Sequence, residues 1–371
     1  MSRAEQRRPQ VGTGQTLQLA LWEIASRGQS PDASKRDLTN MVALYDIAPK
    51  FSFDTRGDRE GSLKLIEREF TFAGKRFRIT LKPTQIRGSD GVVVERYLGE
   101  REQIVEEVIR RIASNRGRLT VHDGVKVRFP FTIGEVREEL KRVKHTYSFA
   151  EIREAITLLN EVRLVVQDLE TRGSPVLSSA AFPVMGLRQR GDDFDSFVEF
   201  NPLVADAIRL LDFLQVDYDT LMEIRDPVAR WLLKRLHNEI AATRQPIQQI
   251  TATDIRRDSG MPEWKTTRNL LRRVLQAVDV LVAKGVLDKV DADEVLEGQR
   301  KVDIVFTVSA SPDFMAKVHA SNRAAKMNQD DFERLSGGRS PAEGFARVGA
   351  AEVFRLRDAR APAAPEAEEA A

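Results

Sequence analysis

Cysteine is absent from the 371 residues of this chain. That excludes disulfides, thiolate catalysis, iron–sulfur clusters and cysteine zinc sites, and it agrees with a reducing compartment. Histidine is scarce. The four present are His122, His145, His237 and His319, and no two stand at metal-ligand spacing. The His-x-His pair that a rolling-circle relaxase needs beside its nucleophilic tyrosine is missing. So is the Gly-x-x-x-x-Gly-Lys-Ser/Thr loop of a nucleotide-driven motor. No metal, cofactor or catalytic residue is therefore expected. No apolar run approaches the roughly 20 residues of a membrane span, and the polar, basic residues 1–10 lead into no apolar signal core. These absences predict a soluble cytoplasmic protein that is not an enzyme and does not engage membranes.

Net charge is also nearly absent: 58 Lys and Arg face 56 Asp and Glu, a formal +2. A uniformly basic coat is excluded, but a local basic face is not. The length suggests two or three globular domains. The ends are poor in core residues. Residues 1–40 are polar and weakly periodic, with a possible short docking helix over residues 17–24. The chain from 355 onward is rich in Ala, Pro and Glu and reads as a disordered tail.

The middle of the chain carries an element order that repeats. Around Ala73-Gly74, Phe70 and Phe72 on one side and Phe77, Ile79 and Leu81 on the other alternate as a hairpin. Ile104, Val105, Val108, Ile109 and Ile112 then recur at helical spacing. Two short strands flank Asp123-Gly124. Thr132 with Glu135, and Ser148 with Glu151, are capping boxes that open two successive helices across a basic turn. Strands over residues 163–168, 176–184 and 197–200 follow as a wing. About 120 residues on, the order recurs. A helix over 227–241 carries Val228, Trp231, Leu232, Leu233, Leu236 and Ile240. A short helix over 252–258 and a long one over 264–284 follow. Strands over 286–290 and 301–309 come last, joined by an acidic loop at 291–298.

The reading is an α+β protein of two tandem winged helix-turn-helix domains, with an N-terminal β-hairpin extension and disordered termini. The expected divisions are a flexible region 1–60, a first winged helix with its hairpin over 61–212, a second over 213–312, and a largely disordered tail over 313–371.

The distribution of charge selects the helices that would meet DNA. From residue 264 to 278 there are four basic residues and no acidic one. Lys265, Arg268, Asn269, Arg272 and Gln276 lie along one side of that helix, opposite its Leu/Val stripe. These side chains suit base edges and phosphates. Thr266, Thr267 and Arg273 belong to the same helix start, and Arg256 and Arg257 on the preceding helix are placed to grip the backbone. In the first unit Lys141, Arg142, Lys144, His145 and Tyr147 cluster at the turn, with Ser148 and Arg153 on the helix. Glu151 and Glu154 dilute that face. Arg172 in the wing tip, and Arg188 with Arg190 in the next loop, are further contacts of the same kind. His145 as a lone histidine reads as an uncommitted surface residue, and Trp231 and Trp264 read as core.

A family resemblance rests on particular stretches. Phe197-Val198-Glu199-Phe200-Asn201-Pro202-Leu203 leads through Tyr218 and Leu221 into the run from Asp226-Pro227 through Trp231 to Leu236. With residues 250–282 and the strand-like Lys301-Val302-Asp303-Ile304-Val305-Phe306, this resembles the initiator proteins of iteron-containing, theta-replicating plasmids over roughly residues 95–310. Trp231 and the N-terminal hairpin depart from the family pattern. The resemblance implies binding of double-stranded origin repeats as a monomer, one winged helix per half-repeat. It also implies melting of an AT-rich segment, recruitment of the host replication initiator and replicative helicase, and autorepression as a homodimer, with the first winged helix supplying the dimer contact. A tandem winged-helix transcriptional regulator and a protein-interaction adaptor are the competing readings.

Overall fold

The computed structural model describes residues 38–53, 64–87, 93–116, 118–122, 126–170, 176–188, 196–262, 264, 266–336, 338 and 340. The architecture is α+β. In chain order the elements are β1 (Leu38–Met41), α1 (Ala43–Ile47), β2 (Ile66–Phe72), β3 (Lys75–Lys82), β4 (Thr84–Arg87), β5 (Val93–Arg96), α2 (Glu100–Arg116), β6 (Thr120–His122), β7 (Lys126–Phe131), α3 (Ile133–Arg142), α4 (Phe149–Glu161), β8 (Arg163–Asp168) and β9 (Val176–Ala180). The chain continues with β10 (Val184–Gly186), β11 (Ser196–Glu199), α5 (Pro202–Arg209), β12 (Leu214–Asp217), α6 (Tyr218–Glu223), α7 (Pro227–Thr243), β13 (Ile247–Thr251), α8 (Ala252–Ser259), α9 (Thr267–Ala283), β14 (Leu287–Glu297), β15 (Arg300–Ala310) and α10 (Pro312–Leu335).

Local chemistry explains most boundaries. Thr132 and Ser148 each accept the backbone N–H three residues on, while Glu135 and Glu151 accept the cap's own N–H, so both capping boxes form. Ala73 and Gly74, at φ of 49° and 75°, make the two-residue turn of the β2–β3 hairpin. Asp226 caps α7 by accepting from Val228 and Ala229, with Pro227 in the first turn, where its missing N–H costs nothing.

The second unit has the winged-helix order: α7, β13, α8, α9, then the β14–β15 wing, with strand order β13-β15-β14. Its core is built from Trp231, Leu232, Leu236, Ile255, Leu271, Val274, Val278, Leu281 and Phe306. The first unit has the same helix order, α2, α3, α4, but its strands are distributed differently. β8 and β9 pair with each other, and β3 pairs with β8, so the N-terminal hairpin completes the sheet β2-β3-β8-β9. β10 and β11 join β7 and β6 in a separate sheet instead of extending the wing, which corrects the expected three-stranded wing. The physical reason is the register of Phe129 and Phe131. Both side chains are buried and stack on each other, and β11 is the strand that covers their backbone.

Four other expectations are corrected. Within the region expected to be flexible up to residue 60, residues 38–53 are ordered: β1 pairs with β12, and Met41, Leu44, Tyr45 and Ile47 are buried. Residues 291–297 belong to the long strand β14, turned at Gly298 with φ 62°, and are not a loop. Where the tail was expected to begin, α10 buries Phe314, Val318 and Phe332 and is capped by Ser311. Trp264 is exposed, and α9 begins only at Thr267, because Thr266 caps it by accepting from Asn269. The possible helix at 17–24 and the tail from 355 lie outside the described residues.

The two units are joined by buried charge. Asp46 of α1 pairs with Arg110 of α2 at 2.6 Å and with Lys234 of α7 at 3.0 Å, and Lys234 also reaches Glu107. Glu106 accepts from the Tyr45 hydroxyl at 2.6 Å and pairs with Lys50 at 3.2 Å. Trp231 donates its ring N–H to the Ile47 carbonyl at 2.9 Å. Burial alone would raise the Asp46 carboxyl's pKa, but Arg110, Lys234 and Lys50 outweigh that and hold it far below the usual range. The hairpin makes a second bridge. Thr71 donates its N–H to Asp258 of α8, and Arg235 of α7 donates to the Thr71 carbonyl. Gly260 ends α8 at φ 74°, where a Cβ would lie 3.0 Å from the Phe51 carbonyl. Glycine is required there on both grounds.

Candidate nucleic-acid interface

In a winged helix the third helix is the one that enters the major groove, and here that helix is α9. Its apolar stripe, Leu270, Leu271, Val274, Ala277, Val278 and Leu281, faces the core. The opposite stripe exposes Arg268, Arg272 and Gln276 at intervals of four residues. Arg272 donates to the Asn269 side-chain carbonyl at 3.0 Å, which aligns the two on one face. Arg268 has no hydrogen-bond or ion-pair partner among the described residues. Thr266 and Thr267 sit at the helix start, where free N–H groups favour a phosphate oxygen. Arg273 turns the other way: it pairs with Asp226 at 2.7 Å and is only 20% exposed. Lys265 lies outside the described residues.

On α8 the two arginines differ. Arg256 is exposed. Arg257 is held by Asp258 at 2.6 Å and by Asp254 at 2.8 Å, so its charge is already answered.

The first unit's basic cluster is largely committed within the molecule. Lys141 pairs with Glu138, and Arg142 pairs with Glu139 and with Asp219 of α6 while lying over the Tyr218 ring. Arg153 lies over the Phe149 ring, 6.0 Å from its centre. Ser148 is occupied as a cap. Lys144 is exposed at φ 61°, and its carbonyl accepts from Arg225 at 2.7 Å. Contrary to the surface reading, His145 is buried, and the Arg225 guanidinium lies 2.9 and 3.1 Å from its two ring nitrogens. Burial, reinforced by Arg225 and Arg230, holds its pKa down at about 4. The ring is thus neutral near pH 7 and accepts from Arg225. Tyr147 stacks on it, with ring centres 6.4 Å apart. Arg188 is exposed. Arg172 and Arg190 lie outside the described residues.

Arg225 is the residue that sequence reasoning passed over. Asp226-Pro227 marked a helix start, but nothing local marks the preceding arginine, whose partners are 80 and 81 residues away.

A cavity of about 20 Å³ beside His237 and Phe314, and another of about 10 Å³ beside Tyr45 and Leu164, hold no more than a water. Among the described residues no group of three His, Asp or Glu side chains is placed to hold a metal. No helix among them is long and apolar enough to cross a membrane.

No protein-family model matches the chain, and no curated protein matches it. Among solved structures, a crystal structure of selenomethionine derivatives of domains 2 and 3 of RctB is similar with a TM-score of 0.46 and 10% identity, covering 72% of this chain and 96% of that one. A crystal structure of RctB domains 2–3 is similar with a TM-score of 0.39 and 9% identity, covering 75% and 99%.

Proposed function

We propose that the protein is a sequence-specific double-stranded DNA-binding replication initiator. In this reading it binds repeated origin sequences, promotes opening of an adjacent AT-rich segment, and hands the opened duplex to the host initiator and replicative helicase. It acts by binding and not by catalysis, and a dimeric form represses its own gene. The observation that carries the reading is the exposed stripe of Arg268, Arg272 and Gln276 on the third helix of a winged-helix unit. Arginine and glutamine are the side chains that read guanine and adenine edges in the major groove. The replication role is supported by the resemblance of residues 95–310 to theta-type plasmid initiators.

Footprinting of the protein on the DNA flanking its own gene tests this. Protection of direct repeats of about 20 base pairs, two half-sites one helical turn apart, beside an AT-rich segment is the expected result. Protection of a lone palindrome would make the protein a transcriptional regulator instead. No protection at any salt concentration would overturn DNA binding itself.

A further inference from the structure

The two candidate reading helices are tied to opposite sides of one peptide bond. On one side, Arg225 donates to the Lys144 carbonyl at 2.7 Å and to the His145 ring, gripping the turn that leads into α4. On the other, the Asp226 carboxylate accepts from Arg273 of α9 at 2.7 Å while capping α7. Behind this point the connection is stiff. The residues between the units form α5, β12 and α6, and β12 pairs with β1. Arg230, one turn further along α7, is buried and donates to Gln103 of α2 at 2.9 Å and pairs with Glu100. The Asp46–Arg110–Lys234 cluster locks the same two helices deeper in.

A flexible tether would let two reading heads follow half-sites at various separations. A hydrogen-bonded joint does not. One added base pair moves a half-site by about 3.4 Å and turns it by about 35°, whereas a hydrogen bond lengthened beyond about 3.5 Å is lost. We propose that Arg225 and Asp226 are positioning residues that set the distance between α4 and α9, so that the protein accepts a bipartite duplex site at one half-site spacing. The spacing rule rests on the reading of both helices as DNA contacts. The rigidity of the joint does not.

The experiment uses Arg225→Ala and Asp226→Asn in the full chain. Asparagine keeps the Oδ1 that caps α7 and accepts from Arg273, and removes only the charge of that contact, whereas Arg225→Ala removes its hydrogen bonds outright. A duplex site is selected from a random pool with the unaltered protein, then remade with one base pair added or removed between its halves. The unaltered protein should lose about 10-fold or more on either change, and the variants only about 2- to 3-fold. In parallel, spin labels at Ala150→Cys and Gln276→Cys, introduced into a chain with no native cysteine, report the α4–α9 distance without DNA. A single narrow distribution that broadens in Arg225→Ala is expected. An unaltered protein that tolerates the inserted base pair, or variants that keep both its discrimination and its narrow distance, would overturn the proposal. If the pool yields no duplex, the DNA reading fails and the distance distributions still decide the joint.

Discussion

The two winged-helix units share an element order and differ in how they dispose of charge. In the second unit the third helix points Arg268, Arg272 and Gln276 at solvent, and five acids stand on the wing strand β14, at Asp288, Asp291, Asp293, Glu294 and Glu297. In the first unit Lys141, Arg142 and Arg153 are answered by carboxylates or rings of the same molecule, and the turn before α4 is bound by Arg225. The same topology thus leaves a free cationic stripe on the third helix of one copy, and in the other a helix whose entry turn is held by the joint. A helix-turn-helix is identified by backbone order, but its role is set by where its cations find partners.

The comparison breaks most visibly at the joint. Removing the buried carboxylate with Asp46→Ala leaves Arg110 and Lys234 without their shared partner, and should cost about 3–5 kcal/mol. Chemical denaturation should then show the units separating into two transitions where the unaltered protein shows one.

The next largest effect concerns DNA. Arg268→Ala should weaken specific binding by about 1–3 kcal/mol, and Arg142→Ala by distinctly less, as read in titrations against the footprinted duplex. Equal losses would erase the distinction between the units.

Acidity should loosen the fold in a defined window. Burial first, then Arg225 and Arg230, hold His145 at about 4, and burial holds His237 at about 4, below the usual 6.5. The unfolded chain therefore takes up more protons between pH 6.5 and 4. The stabilisation from these neutral rings is present above pH 6.5 and is lost as pH falls towards 4. Thermal melts at pH 7 and pH 5 should show the lower midpoint at pH 5, and a pH-independent midpoint would refute the assignment.

The smallest effect belongs to the acidic wing. Asp291→Asn with Asp293→Asn should tighten non-specific DNA binding by less than about 1 kcal/mol at 0.1 M salt, because exposed charges are screened within about 10 Å. Weaker binding would show that the wing carboxylates serve DNA contact directly.

Much of this was legible in the sequence where the determinants are local. Both capping boxes, the Ala73-Gly74 turn and the apolar stripe of α9 follow from spacings of two to four residues. Of the expected stripe Lys265, Arg268, Asn269, Arg272 and Gln276, the structure exposes Arg268, Arg272 and Gln276, half-buries Asn269, and leaves Lys265 outside the described residues, while Arg273 of the same helix start turns inward to Asp226. Pairings over long separations were not legible. β3 with β8, β1 with β12, and Arg225 with His145 depend on which surfaces meet once the helices pack, and alternation along a strand does not name its neighbour. The exposure of Trp264 and the burial of His145 reverse the usual preferences of those residue types for the same reason.

The central claim is that the exposed stripe of α9 reads duplex DNA. Fluorescence anisotropy titrations of the unaltered protein and of the Arg268→Ala/Arg272→Ala double variant against the footprinted duplex, over a salt series, test it most directly. A steep fall of log K with log salt is expected for the unaltered protein, about 0.9 per phosphate contacted, together with a loss of specific affinity of about 2–6 kcal/mol in the double variant. Unchanged affinity of the double variant at physiological salt would contradict it.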